Sequence, residues 1–293
     1  MRVDAIQGAL LGLVQGLAEF LPVSSSGHLV LVQRLFGLSE GALSFDLALH
    51  LATALVLAWT IRRELLFMAA HPFSRLTLLV ALSALPTAAI GLALKDPVEA
   101  LFASGRSLGL EFVFTGLVLL AAEAIQKRRK TRRGLEEAGW LDAVLVGAAQ
   151  GVAVLPAVSR SGLTLAAGLA RGLDRSAAVR FSFLASIPPV LGAALLDLKD
   201  LLEAGRGAAG AAGLSAAGAS GSGAAVALMG GIPALSLAAG MAAAAVSGYL
   251  ALRLMLRVFS TSSLRGFAWY VIGLGGLVLG EQVFSGRIFG SLF

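Results

Sequence analysis

Six apolar runs along the chain have the length of membrane-crossing helices: about residues 43–61, 76–94, 109–126, 178–197, 224–252 and 266–284. A helix rises ~1.5 Å per residue, so about 20 apolar residues cross the ~30 Å hydrocarbon core of a bilayer. The fifth run is long and glycine-rich, which predicts a tilted or bent helix. Two further apolar stretches, about 5–37 and 140–172, break in the middle at LPVSSSGH (21–28) and LPAVSRSG (155–162). Each half is too short to cross alone. Short, interrupted hydrophobic segments at matching places in two halves of a chain point to re-entrant hairpins around a binding site. Non-helical backbone at membrane depth is tolerated only when it is buried in protein or lines a wet cavity. The pattern predicts an all-α polytopic membrane protein with six full transmembrane helices and two re-entrant helical hairpins.

The two broken stretches are also a repeat. Displacement by 135 residues lays Gln15-Gly16 on Gln150-Gly151, and Ser24, Ser26 and Gly27 on Ser159, Ser161 and Gly162. Pro22 and Pro156 miss by one position. Three full spans separate the hairpins, an odd number, so the second copy is expected to be inverted, with the tips meeting inside the membrane from opposite sides. The expected organisation is a single membrane domain over 1–293, with inverted repeat 1 at about 1–126, a basic cytoplasmic loop at 127–139 and inverted repeat 2 at about 140–293.

Composition agrees with this picture. Apolar residues make up 57% and charged residues 14%, against about 25% charged in ordinary soluble domains. The absence of cysteine excludes disulfides and thiolate metal sites, and three histidines are too few for a histidine-rich metal site. Asp4, Gln7, Gln15 and Glu19 interrupt the first apolar run, which therefore reads as retained sequence rather than a signal peptide. The net charge of +6 is a topology signal, not a nucleic-acid one. Fifteen of the 23 Lys and Arg residues fall in one set of loops, including the run 127–133, and seven on the opposite side. The richer side is expected to be cytoplasmic, which turns the termini and the mouth of the first hairpin outward. The Gly/Ala/Ser tract 203–223 reads as a flexible outer loop.

The breaks carry the candidate chemistry. Gln15 and Glu19, four apart, share a helix face, and an ionisable group at membrane depth is a functional hypothesis by default. Pro22 ends the half-helix, Ser24, Ser25 and Ser26 supply hydroxyls, and His28 offers a proton donor, base or nucleophile. In the second break Arg160 stands between Ser159 and Ser161 where a helix opens, with Thr164 one turn further. A planar guanidinium beside a helix N-terminus suits a phosphate or diphosphate. Together these residues are the parts for phosphoryl transfer on an anionic substrate with an apolar tail. Asp46 and His50 are weaker candidates, either lining the site or forming a structural pair. Glu111, Glu123 and Glu281 are expected at the interfaces, and Trp59, Trp140, Trp269 and Tyr270 in an aromatic belt.

Gln15 through Glu19 running into LPVSSSGH, followed by PAVSRSGLT at 156–164, resembles the bacterial undecaprenyl-diphosphatase family associated with bacitracin resistance. That family carries Glu or Gln, three residues, Glu, then LPxSSxGH, and later PGxSRSxxT. The resemblance covers nearly the whole chain. It implies removal of the terminal phosphate from a C55 polyprenyl diphosphate, recycling the cell-wall carrier lipid. The setting would be a bacterial plasma membrane, with the site facing its outer side, no nucleic-acid partner, and room for a homodimer. It further implies that Glu19 binds a divalent metal, usually magnesium, or does acid–base work, and that Ser25 or His28 is the nucleophile or its activator. Arg160 would hold the diphosphate, with Ser159, Ser161 and Thr164 around it; Gln15, Ser24 and Ser26 complete the expected substrate contacts. Two departures stand out. Gln15 sits where Glu is common, and Ala157 replaces glycine, a costly change if that position needs φ > 0. A polyprenyl-phosphate flippase built on the same inverted repeat is the alternative.

Overall fold

The computed structural model describes residues 3–38, 42–129, 131–192, 232–258, 263–286 and 288–289. Among these residues there is no strand; one isolated bridge joins Arg133 to Leu173. The first broken stretch folds as α1 (Ala5–Phe20) and α2 (Ser25–Leu35). There follow α3 (Ala42–Thr60), α4 (Arg62–Ala70), α5 (Arg75–Ala93), α6 (Lys95–Ser104) and α7 (Leu108–Arg128). The second broken stretch gives α8 (Trp140–Val152) and α9 (Arg160–Ala170). Residues 175–192 form the described part of α10, and α11 (Ala234–Val258) and α12 (Arg265–Phe284) complete the chain.

Four helices, α5, α7, α11 and α12, are long and apolar enough to cross a membrane. The pair α3 and α4, bent by 73°, makes a fifth if it is one span. The run expected at 178–197 is helical as far as 192, and its end lies outside the described residues. So do the start of the run expected at 224–252 and the whole 203–223 tract. The pattern did not foresee α4 and α6, whose short, charged first turns give no long apolar signal. Large apolar side chains such as Leu85, Leu117, Leu250 and Leu277 lie exposed on the spans. On a soluble protein such a surface is an aggregation liability, whereas in a bilayer it faces acyl chains.

Hydrophobic burial gives little drive between helices in lipid, so close approach of small residues does more of the work. α1 lies along α11, α8 along α5 and α7 along α12. A side chain added at Gly12 of α1 would run into the Gly240 carbonyl of α11. One added at Gly147 of α8 would run into the Ser83 carbonyl of α5. α1 is thus seated on a helix late in the chain, and α8 on a helix early in the chain.

The basic loop after α7 is only partly a free charge signal. Arg133 and Arg171 both pair with the buried carboxylate of Asp142. The Arg133 N–H donates to Gly172 O at 2.9 Å, and the Asp174 N–H to Arg133 O at 2.8 Å. Arg129 donates to Ala170 O. These contacts stitch the loop to the end of α9 and fix the base of the second hairpin.

Candidate functional site

Each hairpin turns at its break because serine caps the outgoing helix. Ser24 Oγ accepts the Gly27 N–H at the start of α2, and Ser159 Oγ accepts the Gly162 N–H at the start of α9, a normal N-cap arrangement. Ser24 has φ 71°, the one positive value among the described non-glycine residues. The tips then exchange hydrogen bonds. Ser26 Oγ donates to Pro156 O at 2.6 Å, and Ser161 Oγ donates to Leu21 O at 2.8 Å. Donor and acceptor in one bond lie 135 positions from their counterparts in the other. Gly27 packs on Ala157, and Gly162 on Pro22, by the same correspondence.

Glu19, in the last turn of α1, is the centre of the arrangement. Its Oε2 accepts Ser25 Oγ at 2.6 Å and Gln15 Nε2 at 3.0 Å. Its Oε1 is paired with the Arg160 guanidinium. His50 Nε2 lies 3.8 Å from Oε2, and its Nδ1 lies 2.8 Å from Asp46 O. A carbonyl can only accept, so that contact places the proton on Nδ1 and leaves Nε2 turned toward the carboxylate. Gln15 also donates to Thr53 Oγ1, which fixes the amide from α3.

Arg160 opens α9, whose first N–H groups have no intrahelical partner. With Glu19, Ser161 and Thr164 it lines a small recess that also takes in Phe20 and Ser182. Thr164 Oγ1 donates to Arg160 O and meets Ser182 Oγ. The recess therefore joins a guanidinium, a carboxylate carrying a serine hydroxyl, further hydroxyls and apolar walls. That combination can hold an anion and activate an oxygen nucleophile beside it.

The structure brings Gln15, Glu19, Ser25, Arg160, Ser161 and Thr164 together, with Ser24, Ser26 and Ser159 holding the tips. It does not turn His28 onto Glu19. His28 Nδ1 lies 2.6 Å from Ser24 O and Nε2 lies 2.8 Å from Tyr270 Oη, with the two rings stacked. Tyr270, expected only as part of an aromatic belt, is thus also a partner of His28, whereas Trp59, Trp140 and Trp269 are exposed as that belt requires. The imidazole beside the carboxylate is that of His50, one helical turn after Asp46. The i, i+4 spacing of that pair was the available signal. Ser182 went unforeseen, since a lone serine in an apolar helix carries no pattern of its own.

Glu111 and Glu123, expected at the interfaces near span ends, are buried within the protein. Glu123 accepts from Arg175 and from the Leu264 N–H, and Glu111 accepts the Ala157 N–H. Both sit near span ends in sequence, but neighbouring elements cover them. The Ala157 departure also resolves. Its φ is not positive, its side chain is fully buried, and the close approach at this contact is met by Gly27 on the facing tip. Ala157→Gly is therefore expected to keep its activity. It should lose about 1–2 kcal/mol of stability, from added unfolded-state freedom and a lost methyl contact, read as a lower Tm in detergent at unchanged kcat.

The resemblance implies a divalent metal. Among the described residues no three His, Asp or Glu side chains converge, and Glu19 is the one carboxylate on the recess. Gln15 Oε1, buried next to it, has no hydrogen-bond partner. Magnesium commonly binds one or two carboxylates together with substrate phosphates and keeps several waters. The donor set fits an ion held jointly with a diphosphate, not one caged by protein alone.

Comparison with known proteins follows the same lines. The family model described as bacitracin resistance protein BacA matches residues 8–277. An undecaprenyl-diphosphatase of Carboxydothermus hydrogenoformans is 45% identical over 277 residues, covering 94% of this chain and 97% of the relative. An undecaprenyl-diphosphatase of Rubrobacter xylanophilus is 41% identical over 291 residues, with the same coverage of 94% and 97%. Undecaprenyl-diphosphatase 4 of Bacillus cereus is 37% identical over 277 residues, again covering 94% and 97%.

Proposed function

We propose that the chain, which belongs to the bacitracin resistance protein BacA family, removes the terminal phosphate from undecaprenyl diphosphate and leaves the lipid monophosphate. The observation that carries the residue assignment is one carboxylate, Glu19, bonded at one oxygen to Ser25 and paired at the other with Arg160. A diphosphate entering the recess takes Arg160 as its partner and frees Glu19 to act as a base. Ser25 Oγ attacks the terminal phosphorus while its proton passes to Glu19. The bond from that phosphorus to the bridging oxygen breaks, and its electron pair leaves on the lipid monophosphate. Water then attacks the phosphoserine. The water's hydroxyl stays on the released phosphate, Glu19 hands the proton it took to the departing Ser25 Oγ and takes up the water's other proton, and Glu19 then loses that proton to solvent. Arg160 and the start of α9 stabilise the charge on the phosphate oxygens in both steps. Glu19 and the Gln15 amide oxygen are the groups that would hold a magnesium ion, which supplies further positive charge to the phosphates when bound.

We read the hairpins as re-entrant and the halves as an inverted repeat. The 135-residue correspondence of the tip hydrogen bonds and the crosswise seating of α1 on α11 and α8 on α5 support that reading. The excess of Lys and Arg in the loops on one side supports an active site reached from the opposite, outer face.

The test is phosphate release from undecaprenyl diphosphate by purified protein in detergent with magnesium. Ser25→Ala should lower kcat by about 10³-fold or more, as loss of a nucleophile does. His28→Ala, whose ring is held by Tyr270, should lower it by less than about 30-fold, within the range of a single proton-transfer or positioning contribution. Equal losses in the two variants would contradict the assignment of Ser25. A flippase would move labelled lipid between leaflets without releasing phosphate, and would have no use for the Ser25–Glu19 bond.

A further inference from the structure

We infer that Glu111 is a positioning residue that sets the Arg160 loop from behind. This rests on the reading that Arg160 receives the diphosphate. Glu111 lies in the first turn of α7 and is buried. Its Oε2 accepts the Ala157 N–H at 2.6 Å. One turn along the same helix, Thr115 Oγ1 accepts the Ser159 N–H at 3.1 Å. These are backbone donors immediately upstream of Arg160, so α7 grips the tip at two points just before the helix that presents the guanidinium.

The two tips differ at this place in a way that matches the chemistry. By the 135-residue correspondence Ala157 answers to Pro22 of the first tip. Proline has no N–H, so the first tip needs no acceptor there, whereas the second tip has a buried donor that must be met. A neutral acceptor would satisfy it at lower desolvation cost. A carboxylate makes a charge-assisted bond roughly twice as strong. The Ser107 hydroxyl stands by the same carboxylate as a further hydrogen-bonding neighbour. Glu111 keeps its carboxylate buried, at a desolvation cost that a purely space-filling residue would not carry.

The need for a strong grip follows from the substrate swap. Without substrate, the Arg160–Glu19 pair ties the second tip to α1. When a phosphate takes Arg160, that tie is lost, and the tip keeps its place through Glu111, Thr115, the bond from Ser161 to Leu21 and the bond from Ser26 to Pro156. The bonds at Ala157 and Pro156, both 2.6 Å, are the shortest of the four, and the one at Ala157 is made to a carboxylate.

Glu111→Ala and Glu111→Gln in the full-length protein test this by two independent readouts. In phosphate release from undecaprenyl diphosphate, Glu111→Ala should lower kcat by about 100-fold with KM changed less than about threefold, the scale expected when a catalytic group is misplaced by about 1 Å. Glu111→Gln, which keeps an acceptor oxygen, should recover to within about tenfold of the unaltered protein. Amide exchange followed by mass spectrometry should show segment 155–160 exchanging faster in Glu111→Ala than in Glu111→Gln. A helix-packing role alone would lower Tm without this split and without rescue by glutamine. Unchanged kcat with unchanged exchange at 155–160 in Glu111→Ala would overturn the inference. If the unaltered protein released no phosphate, the proposed function would fall. Exchange at 155–160 would then judge Glu111 alone, faster exchange in Glu111→Ala supporting the grip and unchanged exchange refuting it.

Discussion

Arg160→Ala is expected to reduce phosphate release from undecaprenyl diphosphate by at least about 10³-fold in kcat/KM. Removing one donor aimed at developing charge costs about 10²–10³ in rate, and here the donor is a full cation. The loss also acts on the resting protein. Glu19 is almost fully buried and pairs with Arg160. Truncating one partner of a buried pair leaves an uncompensated charge, worth about 3–5 kcal/mol. Rates must therefore be referred to folded protein, with Tm measured alongside. Arg160→Lys restores the charge but not the planar fork, and should lie between the two. Retained activity in Arg160→Ala would remove the guanidinium from the mechanism.

Gly12→Val is expected to prevent the protein from folding to its native arrangement. A side chain there collides with the Gly240 backbone carbonyl on α11, and backbone cannot swing aside as a side-chain tip can. Overpacking of this kind typically costs about 1–3 kcal/mol, occasionally more, and the β-branched valine adds its second methyl to the clash. Because α1 carries Gln15 and Glu19, any molecules that do fold should have these groups displaced. Thermal unfolding and size-exclusion profiles in detergent read the first effect, and kcat per folded protein the second. Gly276→Val is the control, since a side chain there meets open space; it should fold and work normally apart from the small helix-propensity change of valine for glycine.

The parts of the fold that were legible in sequence are those fixed by local pattern. Long apolar runs gave α5, α7 and α12 to within about a residue or two, the usual spread of helix ends, because a helix in lipid needs only length and apolarity. The breaks at Pro22 and Pro156 gave the interruptions between α1 and α2 and between α8 and α9. The bend between α3 and α4 was not legible, because residues 61–70 carry arginines and a glutamate that look like ordinary loop charge. The site was legible as a list of reactive types at two breaks, with Gln15 and Glu19 tied by helical spacing. Which imidazole faces the carboxylate depends on packing between α1, α2 and α3. Helical spacing links His50 to Asp46, but no local pattern says that His50, which α3 brings to Glu19, and not His28, held by Tyr270 on α12, meets the carboxylate. The burial of Glu111 was not legible for the same reason. Its position near a helix end suggests water, and only the second hairpin folding over it makes it buried.

The proposal that Glu19, Ser25 and Arg160 form one hydrolytic centre meets its most direct test in the products made from undecaprenyl diphosphate labelled on its terminal phosphate. Purified protein in detergent with magnesium should release the label as inorganic phosphate, one per lipid, and leave undecaprenyl monophosphate. Ser25→Ala and Arg160→Ala, confirmed as folded, should release almost none. Intact labelled diphosphate after incubation with the unaltered protein, or undiminished release by both variants, would contradict it.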